Sequence, residues 1–126
     1  MIKFGRLDHV QLIIPKDSET RAREFYGGLL GLIEIEKPDS LKPSGGVWYK
    51  IGFIELHLGI SPNQAVSEKD SLKKEHPAFV IEELNEVKKY LSAQGVKIKE
   101  EIAIPGRKRF SFYDPFGNRI ELLEYD

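Results

Sequence analysis

The chain has 126 residues, of which 40% are hydrophobic and 31% are charged, with a formal net charge of −1. This profile is typical of one globular domain, and it gives no sign of a surface for nucleic acid, an anionic membrane or a membrane span. The chain has no cysteine, which excludes disulfides, thiolate ligands and a cysteine nucleophile. Because it also lacks a leader-like segment, we expect a cytoplasmic protein.

The first half of the chain predicts the element order βαβββ. A short apolar run at 10–15 indicates a buried strand, and alternation at 33–36 indicates a strand with one wet face. The segment 38–46 is predicted as a loop, and 47–51 and 53–58 as two strands around a turn at Gly52. The helix between the first two strands is predicted from apolar residues at the helical period, namely Ala22, Phe25, Tyr26, Leu29 and Leu30.

The second half predicts the same order. Its first strand begins near His76, and its helix stripe consists of Leu84, Val87 and Leu91. Further strands are predicted at 96–99, 110–113 and 119–124. The segment DPFGN at 114–118 is a turn signal.

These patterns divide the domain into two modules. Module 1 covers about 5–60 and module 2 about 76–126, and the polar segment at about 61–75 is predicted as the linker. One βαβββ unit has open sheet edges and a half-covered core, so two such units are expected to pack together.

Polar residues of the same type recur at matched places in the two halves. His9 and His76 each come near the start of a first strand, and Glu55 and Glu121 each sit in an Ile-Glu-Leu string on a last strand. The separations are 46 positions in the first half and 45 in the second. Duplication alone preserves core positions but gives no reason to preserve polar ones. The repetition therefore predicts that these four residues form one site.

Two imidazoles and two carboxylates suit a divalent ion of intermediate hardness such as Zn, Mn, Fe, Co or Ni. His9, Glu55, His76 and Glu121 are accordingly predicted as metal ligands.

His57 is an alternative ligand to Glu55, because it lies two residues further along the same strand and projects from the same face. Whichever of the two does not bind the metal would be a supporting contact or a general base, and His57 is also predicted to contact substrate. Gln11 stands in the same relation to His9 and is predicted as a polar neighbour of the site that contacts substrate.

Four segments carry a resemblance to the glyoxalase/bleomycin-resistance/extradiol-dioxygenase superfamily, also called the vicinal oxygen chelate fold. They are DHVQL at 8–12, FYGGLLGL at 25–32, HPAF at 76–79 and DPFGNRIE at 114–121, and the last is the most specific. The resemblance covers essentially the whole chain. It implies an α+β fold in which two βαβββ modules form a cupped mixed sheet with helices on the outer face.

The resemblance also implies a bound divalent metal. His9, His76 and Glu121 match recurrent ligands of the superfamily, and Glu55 matches the remaining ligand of the glyoxalase I pattern. In that pattern Glu55 and Glu121 are the catalytic pair, because one carboxylate could leave the metal and abstract a proton alpha to a carbonyl.

Several functions are compatible with the resemblance. The function best supported is a metal-dependent lyase or isomerase acting on a small oxygen-chelating substrate. The alternatives are a fosfomycin-modifying enzyme, a metal-free bleomycin-type binder and, with less support, an extradiol dioxygenase. A thiol cosubstrate is an open possibility, since fold and metal do not determine the reaction.

Three further residues are predicted to contact substrate. Arg109 is the best single candidate for an anion contact, although a solvated basic segment is the commoner role for such residues. Ser111 shares its strand face by alternation. Trp48 could line a groove for an aromatic ligand, but such residues are more often part of a core or rim.

Members of this size often form homodimers, and in some the metal site is shared between chains by swapped modules. The resemblance therefore implies a homodimer and leaves open whether the site lies within one chain.

Overall fold

A computed structural model describes residues 1–61 and 74–126. The chain divides into two compact units, Met1–Gln64 and Ala65–Asp126. Most of the predicted linker lies outside the described residues. None of the described helices has the length and apolar character needed to cross a bilayer.

Unit 1 contains β1 (His9–Ile14), α1 (Glu19–Ala22), β2 (Ile33–Ile35), β3 (Val47–Ile51) and β4 (Ile54–Ile60). The strand order is β1-β4-β3-β2, with β1 parallel to β4 and the other pairs antiparallel. The sheet is therefore mixed, and its first and last strands are neighbours.

The predicted helix of unit 1 has an unexpected geometry. After α1 the chain continues as a π-helix over Arg23–Leu29, and residues Asp39–Ser44 form a 3₁₀ helix where a loop was predicted. Ala22, Phe25 and Tyr26 of the predicted apolar stripe lie in the core, whereas Leu29 and Leu30 are half-buried. The rings of Tyr26 and Tyr49 are 5.9 Å apart, which packs this helix against the sheet.

Gly46 determines how closely β3 can approach β4. Its φ is 89° and a Cβ added there would lie 2.1 Å from the carbonyl oxygen of Leu58, so no side chain fits. The Gly46 amide also donates to the Glu19 carboxylate at 3.1 Å. This approach brings Trp48 alongside His57 in the neighbouring strand.

Unit 2 contains β5 (Ala78–Val80), α2 (Leu84–Ala93), β6 (Ile98–Glu100), β7 (Arg107–Tyr113) and β8 (Arg119–Tyr125). The strand order is β5-β8-β7-β6, again with one parallel pair between the first and last strands. The α+β prediction of two βαβββ modules is confirmed.

One face of the unit 2 sheet is apolar and packs on α2, while the other is polar. Phe110, Phe112 and Ile120 alternate along β7 and β8 as core residues. Arg109, Ser111 and Glu121 occupy the alternate positions, because successive strand residues point to opposite faces. The candidate site residues of unit 2 therefore share the polar face.

Candidate metal-binding and catalytic site

The polar residues of unit 1 lie on neighbouring strands of its sheet. His9 on β1 is directly opposite Glu55 on β4, and Gln11 is opposite His57. β3 pairs with the other edge of β4, and there Trp48 is opposite His57. All five residues have the same strand parity, so the predicted common face of Glu55 and His57 is observed.

Three aromatic rings are stacked across this face. The His9 and His57 rings have centroids 4.2 Å apart, and the His57 and Trp48 rings have centroids 3.6 Å apart with an interplanar angle of 2°. The His57 side chain is 7% exposed and that of Glu55 is 38% exposed. Nε2 of His57 lies 2.9 Å from Oε1 of Glu55. A buried, stacked imidazole thus supports a partly exposed carboxylate.

His9 is oriented by its preceding residue. Its Nδ1 lies 2.8 Å from Oδ2 of Asp8, and this hydrogen bond holds the pKa of the Asp8 carboxyl below its usual value. Because a carboxylate accepts, Nδ1 is the donor nitrogen in this contact, which leaves Nε2 as the nitrogen available to a ligand. This is the arrangement of metal-binding histidines, whose other nitrogen donates to a carboxylate or carbonyl.

Unit 2 contains a second histidine–carboxylate pair, in which Nδ1 of the histidine is again held by an acceptor. Nδ1 of His76 lies 2.6 Å from the backbone carbonyl of Lys74, which can only accept. Nε2 of His76 lies 2.9 Å from Oε1 of Glu121. Here the exposures are reversed, because the His76 side chain is 22% exposed and that of Glu121 is 9% exposed.

Arg109 completes the surroundings of Glu121. Its Nη1 lies 3.2 Å from Oε1 of Glu121, while Nε and Nη2 both donate to the carbonyl oxygen of Ile102, at 3.0 and 2.8 Å. All three guanidinium nitrogens therefore have protein acceptors. Whether Arg109 also contacts a substrate anion stays a prediction.

An ion network around Glu101 lies on the same sheet face. The Glu101 carboxylate, with its side chain 6% exposed, accepts from Ser111, from Arg119 at 2.5 Å and from Lys99 at 3.2 Å. Burial by itself raises the pKa of Glu101, but these three hydrogen bonds outweigh it and hold the pKa at about 2. Ser111, predicted to contact substrate, is fully buried within this network.

The two units differ in strand register. The Glu55 amide donates to the Asp8 carbonyl, immediately before His9, but the Glu121 amide donates to the Pro77 carbonyl, immediately after His76. In register relative to the histidine, the counterpart of Glu121 is therefore His57 rather than Glu55. Compared with unit 1, the Ile-Glu-Leu string of unit 2 is shifted by two residues relative to the histidine of the paired strand. Both glutamates still face the histidine side, since a shift of two preserves the face.

The structure also shows supporting residues that sequence reasoning missed. Asp8 directly precedes His9, so an acidic neighbour of a candidate ligand was a usable signal. Glu101 and Arg119 had no such signal, because their pairing depends on the packing of an irregular segment against β7 and β8. Gln11, by contrast, was predicted as a polar neighbour of the site. Its side-chain amide lies over Gly59, 3.1 Å from where a Cβ would be.

A cavity of about 310 Å³ in unit 1 has Trp48 among its lining residues. Its other walls are largely charged. These charges are paired with each other, as in the contact of Arg23 with Glu34 at 3.0 Å, or with the backbone, as Lys37 is with the Gly45 carbonyl. Glu34 is opposite Tyr49, whose ring packs on Tyr26 of the helix, so Arg23 and Glu34 lie on the helix side of the sheet rather than on the face of His57.

The donor chemistry fits a divalent ion. Zinc binds imidazole nitrogen and carboxylate oxygen at ~2.1 Å, and the 2.9 Å between His76 Nε2 and Glu121 Oε1 places the two side chains close enough to serve one ion. In the part of the chain that the structure describes, no three His, Asp or Glu side chains converge to hold an ion by themselves. Each unit supplies only part of the predicted ligand set.

Comparison with known proteins decides the family. The model of the Glyoxalase/Bleomycin resistance protein/Dioxygenase superfamily matches residues 6–122. The chain belongs to this superfamily. It is 31% identical over 127 residues to Glyoxylase I 4 of Arabidopsis thaliana, a match that covers 95% of this chain and 71% of that protein.

Solved structures of the superfamily agree with this assignment. A glyoxalase family protein from Bacillus anthracis is 40% identical, with a TM-score of 0.89 over 100% of this chain and 99% of that one. Lactoylglutathione lyase from Agrobacterium tumefaciens is 23% identical, with a TM-score of 0.70 over 94% and 92% of the two chains, and shows the shared fold alone. Superfamily members commonly use divalent metals.

Proposed function

We propose that this glyoxalase-family protein is a divalent-metal-dependent enzyme of the lyase or isomerase type that acts on a small oxygen-chelating substrate. The observation that carries the proposal is the shared orientation of its two histidines. His9 and His76 each hold Nδ1 against an acceptor, at 2.8 and 2.6 Å, which leaves Nε2 as the nitrogen that would ligate. A bound ion would replace the present contact of His76 Nε2 with Glu121.

His9, His76, Glu121 and Glu55 are the proposed ligands. The His57 ring is already stacked on both faces, and its Nε2 is engaged by Glu55. We therefore assign His57 the supporting role and Glu55 the ligand role, although the register places His57 opposite Gln11 at the counterpart of Glu121.

The two carboxylates have different proposed roles. Glu121 is nearly buried and is held by His76 and Arg109, which suits a permanent ligand. Glu55 is more exposed and is held by His57 alone among the described residues of unit 1, which suits a base that moves. Glu55 would take a proton from the carbon alpha to a substrate carbonyl, and His57 would stabilise its carboxylate before the transfer.

The ion, when bound, would hold neighbouring oxygens of the substrate and polarise its carbonyl. The proposed ligands are drawn from both modules, and the homodimer implied by the resemblance stays a prediction.

Metal binding is the first test. The purified protein is loaded in turn with Zn, Mn, Fe, Co and Ni, dialysed and analysed for bound metal. We expect one ion per site in the unaltered protein and a loss of affinity in His76→Ala with the fold retained. Lys74→Ala is the matched control, because only the Lys74 backbone carbonyl contacts His76. A protein that retains none of these ions would contradict the proposal.

Reaction type is the second test. The loaded protein is offered methylglyoxal–thiol adducts, fosfomycin and catechols, and exchange of the substrate alpha proton with solvent deuterium is followed by NMR. We expect exchange with an adduct of the first class and its loss in Glu55→Gln. Turnover of fosfomycin or a catechol without such exchange would replace the lyase assignment.

A further inference from the structure

The Glu121 carboxylate is held asymmetrically. Its Oε1 accepts from Arg109 Nη1 at 3.2 Å and lies 2.9 Å from His76 Nε2. Because His76 Nε2 is a proposed ligating nitrogen, Arg109 is the contact that would still hold Oε1 beside a bound ion. Among the described residues of unit 2, no side chain forms a hydrogen bond or ion pair with Oε2. One oxygen is thus held by the protein, and the other is left for a ligand.

Arg109 cannot easily rotate away from this contact. Nε and Nη2 form a two-pronged contact with the Ile102 carbonyl, and a planar guanidinium held by two nitrogens has its third nitrogen fixed in direction. The Arg109 side chain is only 17% exposed, so few alternative rotamers are open to it.

The acceptor that holds Arg109 is itself anchored. Ile102 follows Glu101, whose carboxylate is bound by Ser111, Arg119 and Lys99. A continuous chain of contacts therefore runs from the buried Glu101 through the Ile102 carbonyl and the Arg109 guanidinium to Glu121.

We infer that Arg109 is a positioning residue, which holds the Glu121 carboxylate in one orientation so that Oε2 is presented to the bound ion. This deepens the proposed function and rests on it for the identity of the ligand. Partners that orient metal ligands in this way typically change metal affinity by about 10–100-fold when they are removed.

Zn²⁺ affinity provides the first test, measured by competition with a chromophoric chelator. We expect Arg109→Met to weaken binding by about tenfold or more. Arg109→Lys should weaken it similarly, because lysine keeps the charge but cannot contact the Ile102 carbonyl and Glu121 together. The matched control is Arg107→Met, two residues away on the same strand face, whose guanidinium contacts Tyr125 instead; its affinity should stay within about twofold.

Unchanged or tighter Zn²⁺ binding in Arg109→Met would overturn the inference, because it would mean that the guanidinium only repels the ion. Weakening in Arg109→Met with full affinity in Arg109→Lys would also overturn it, since charge alone would then be sufficient.

A second test needs no metal. The melting temperatures of metal-free Arg109→Met, Glu121→Gln and the double variant are compared with that of the unaltered chain. If the contact exists, the melting temperature of the double variant should fall by less than the sum of the decreases in the two single variants. Additive decreases in melting temperature would show that the contact is absent and would leave the proposed function unaffected. A chain that retains none of Zn, Mn, Fe, Co or Ni but shows non-additive losses would instead refute the proposed function and keep the contact between Arg109 and Glu121.

Discussion

The two units present the same pair of residue types by opposite means. In unit 1 the imidazole of His57 is buried between two rings and the carboxylate of Glu55 is 38% exposed. In unit 2 the carboxylate of Glu121 is 9% exposed and the imidazole of His76 is the more open partner. Aromatic stacking thus supports a partly exposed carboxylate, whereas an ionic network surrounds a nearly buried one. Under the proposed function the first would be the mobile base and the second the permanent ligand.

The largest expected effect comes from removing the central carboxylate of the unit 2 network. Glu101→Gln should cost about 3–5 kcal/mol of unfolding free energy, because it leaves the nearly buried Arg119 and its neighbour Lys99 without their counter-ion. Urea unfolding at pH 7 measures the effect. The control Glu100→Gln removes an exposed carboxylate paired with Lys88 and should cost less than about 1 kcal/mol. Equal effects of the two substitutions would mean that the network does not support unit 2.

Acid provides the next test, in the unaltered protein. The pKa of Glu101 is about 2 in the folded chain against an ordinary 4.5, so its stabilising contribution is fully present above pH 4.5. It is lost as the pH falls from 4.5 towards 2, and the loss is on the order of 3 kcal/mol. Urea midpoints measured across this range should fall more steeply in the unaltered chain than in Glu101→Gln. Parallel curves would contradict the assignment of this pH dependence to Glu101.

A smaller effect is expected when the stacked rings of unit 1 are disrupted. Trp48→Leu removes the ring stacked on His57 at 3.6 Å and should cost about 0.5–1.5 kcal/mol beyond the lost apolar area. Its clearer consequence should be functional, because His57 and Glu55 lose their support. We expect alpha-proton exchange to fall while Zn²⁺ affinity changes less than in Arg109→Met. The reverse order would show that the mobile carboxylate is in unit 2.

The smallest effect is expected in the core of unit 1. Burial raises the pKa of Tyr49 to about 12, and the hydroxyl has no hydrogen-bond partner among the described residues. Tyr49→Phe should therefore change the unfolding free energy by less than about 1 kcal/mol at pH 7, or stabilise the chain slightly, since it removes an unsatisfied buried group. Between pH 10 and 12 the variant should also lose less stability than the unaltered chain. A loss of several kcal/mol would indicate a partner for this hydroxyl.

Much of the fold followed from periodicity, but the register did not. The strands and α2 were predictable because apolar residues recur at periods of 2 and 3.6. The matched spacings of 46 and 45 suggested equivalent pairs, yet His9 is opposite Glu55 whereas Ala78 is opposite Glu121. Parallel strands are set in register by the packing of distant segments, which no local string encodes. For the same reason His76 lies just before β5 rather than within it, on the far side of Pro77.

The sequence by itself determined the superfamily, the two βαβββ modules and the residue types available to a metal, because these depend on composition, periodicity and short motifs. Only the tertiary structure decided which side chains support which. The Asp8 contact with His9, the stacking of Trp48 on His57 and the path from Glu101 through Arg109 to Glu121 join residues by distance in space. Burial then gives each contact its strength, because a charged or polar group removed from water must find its partner in the fold.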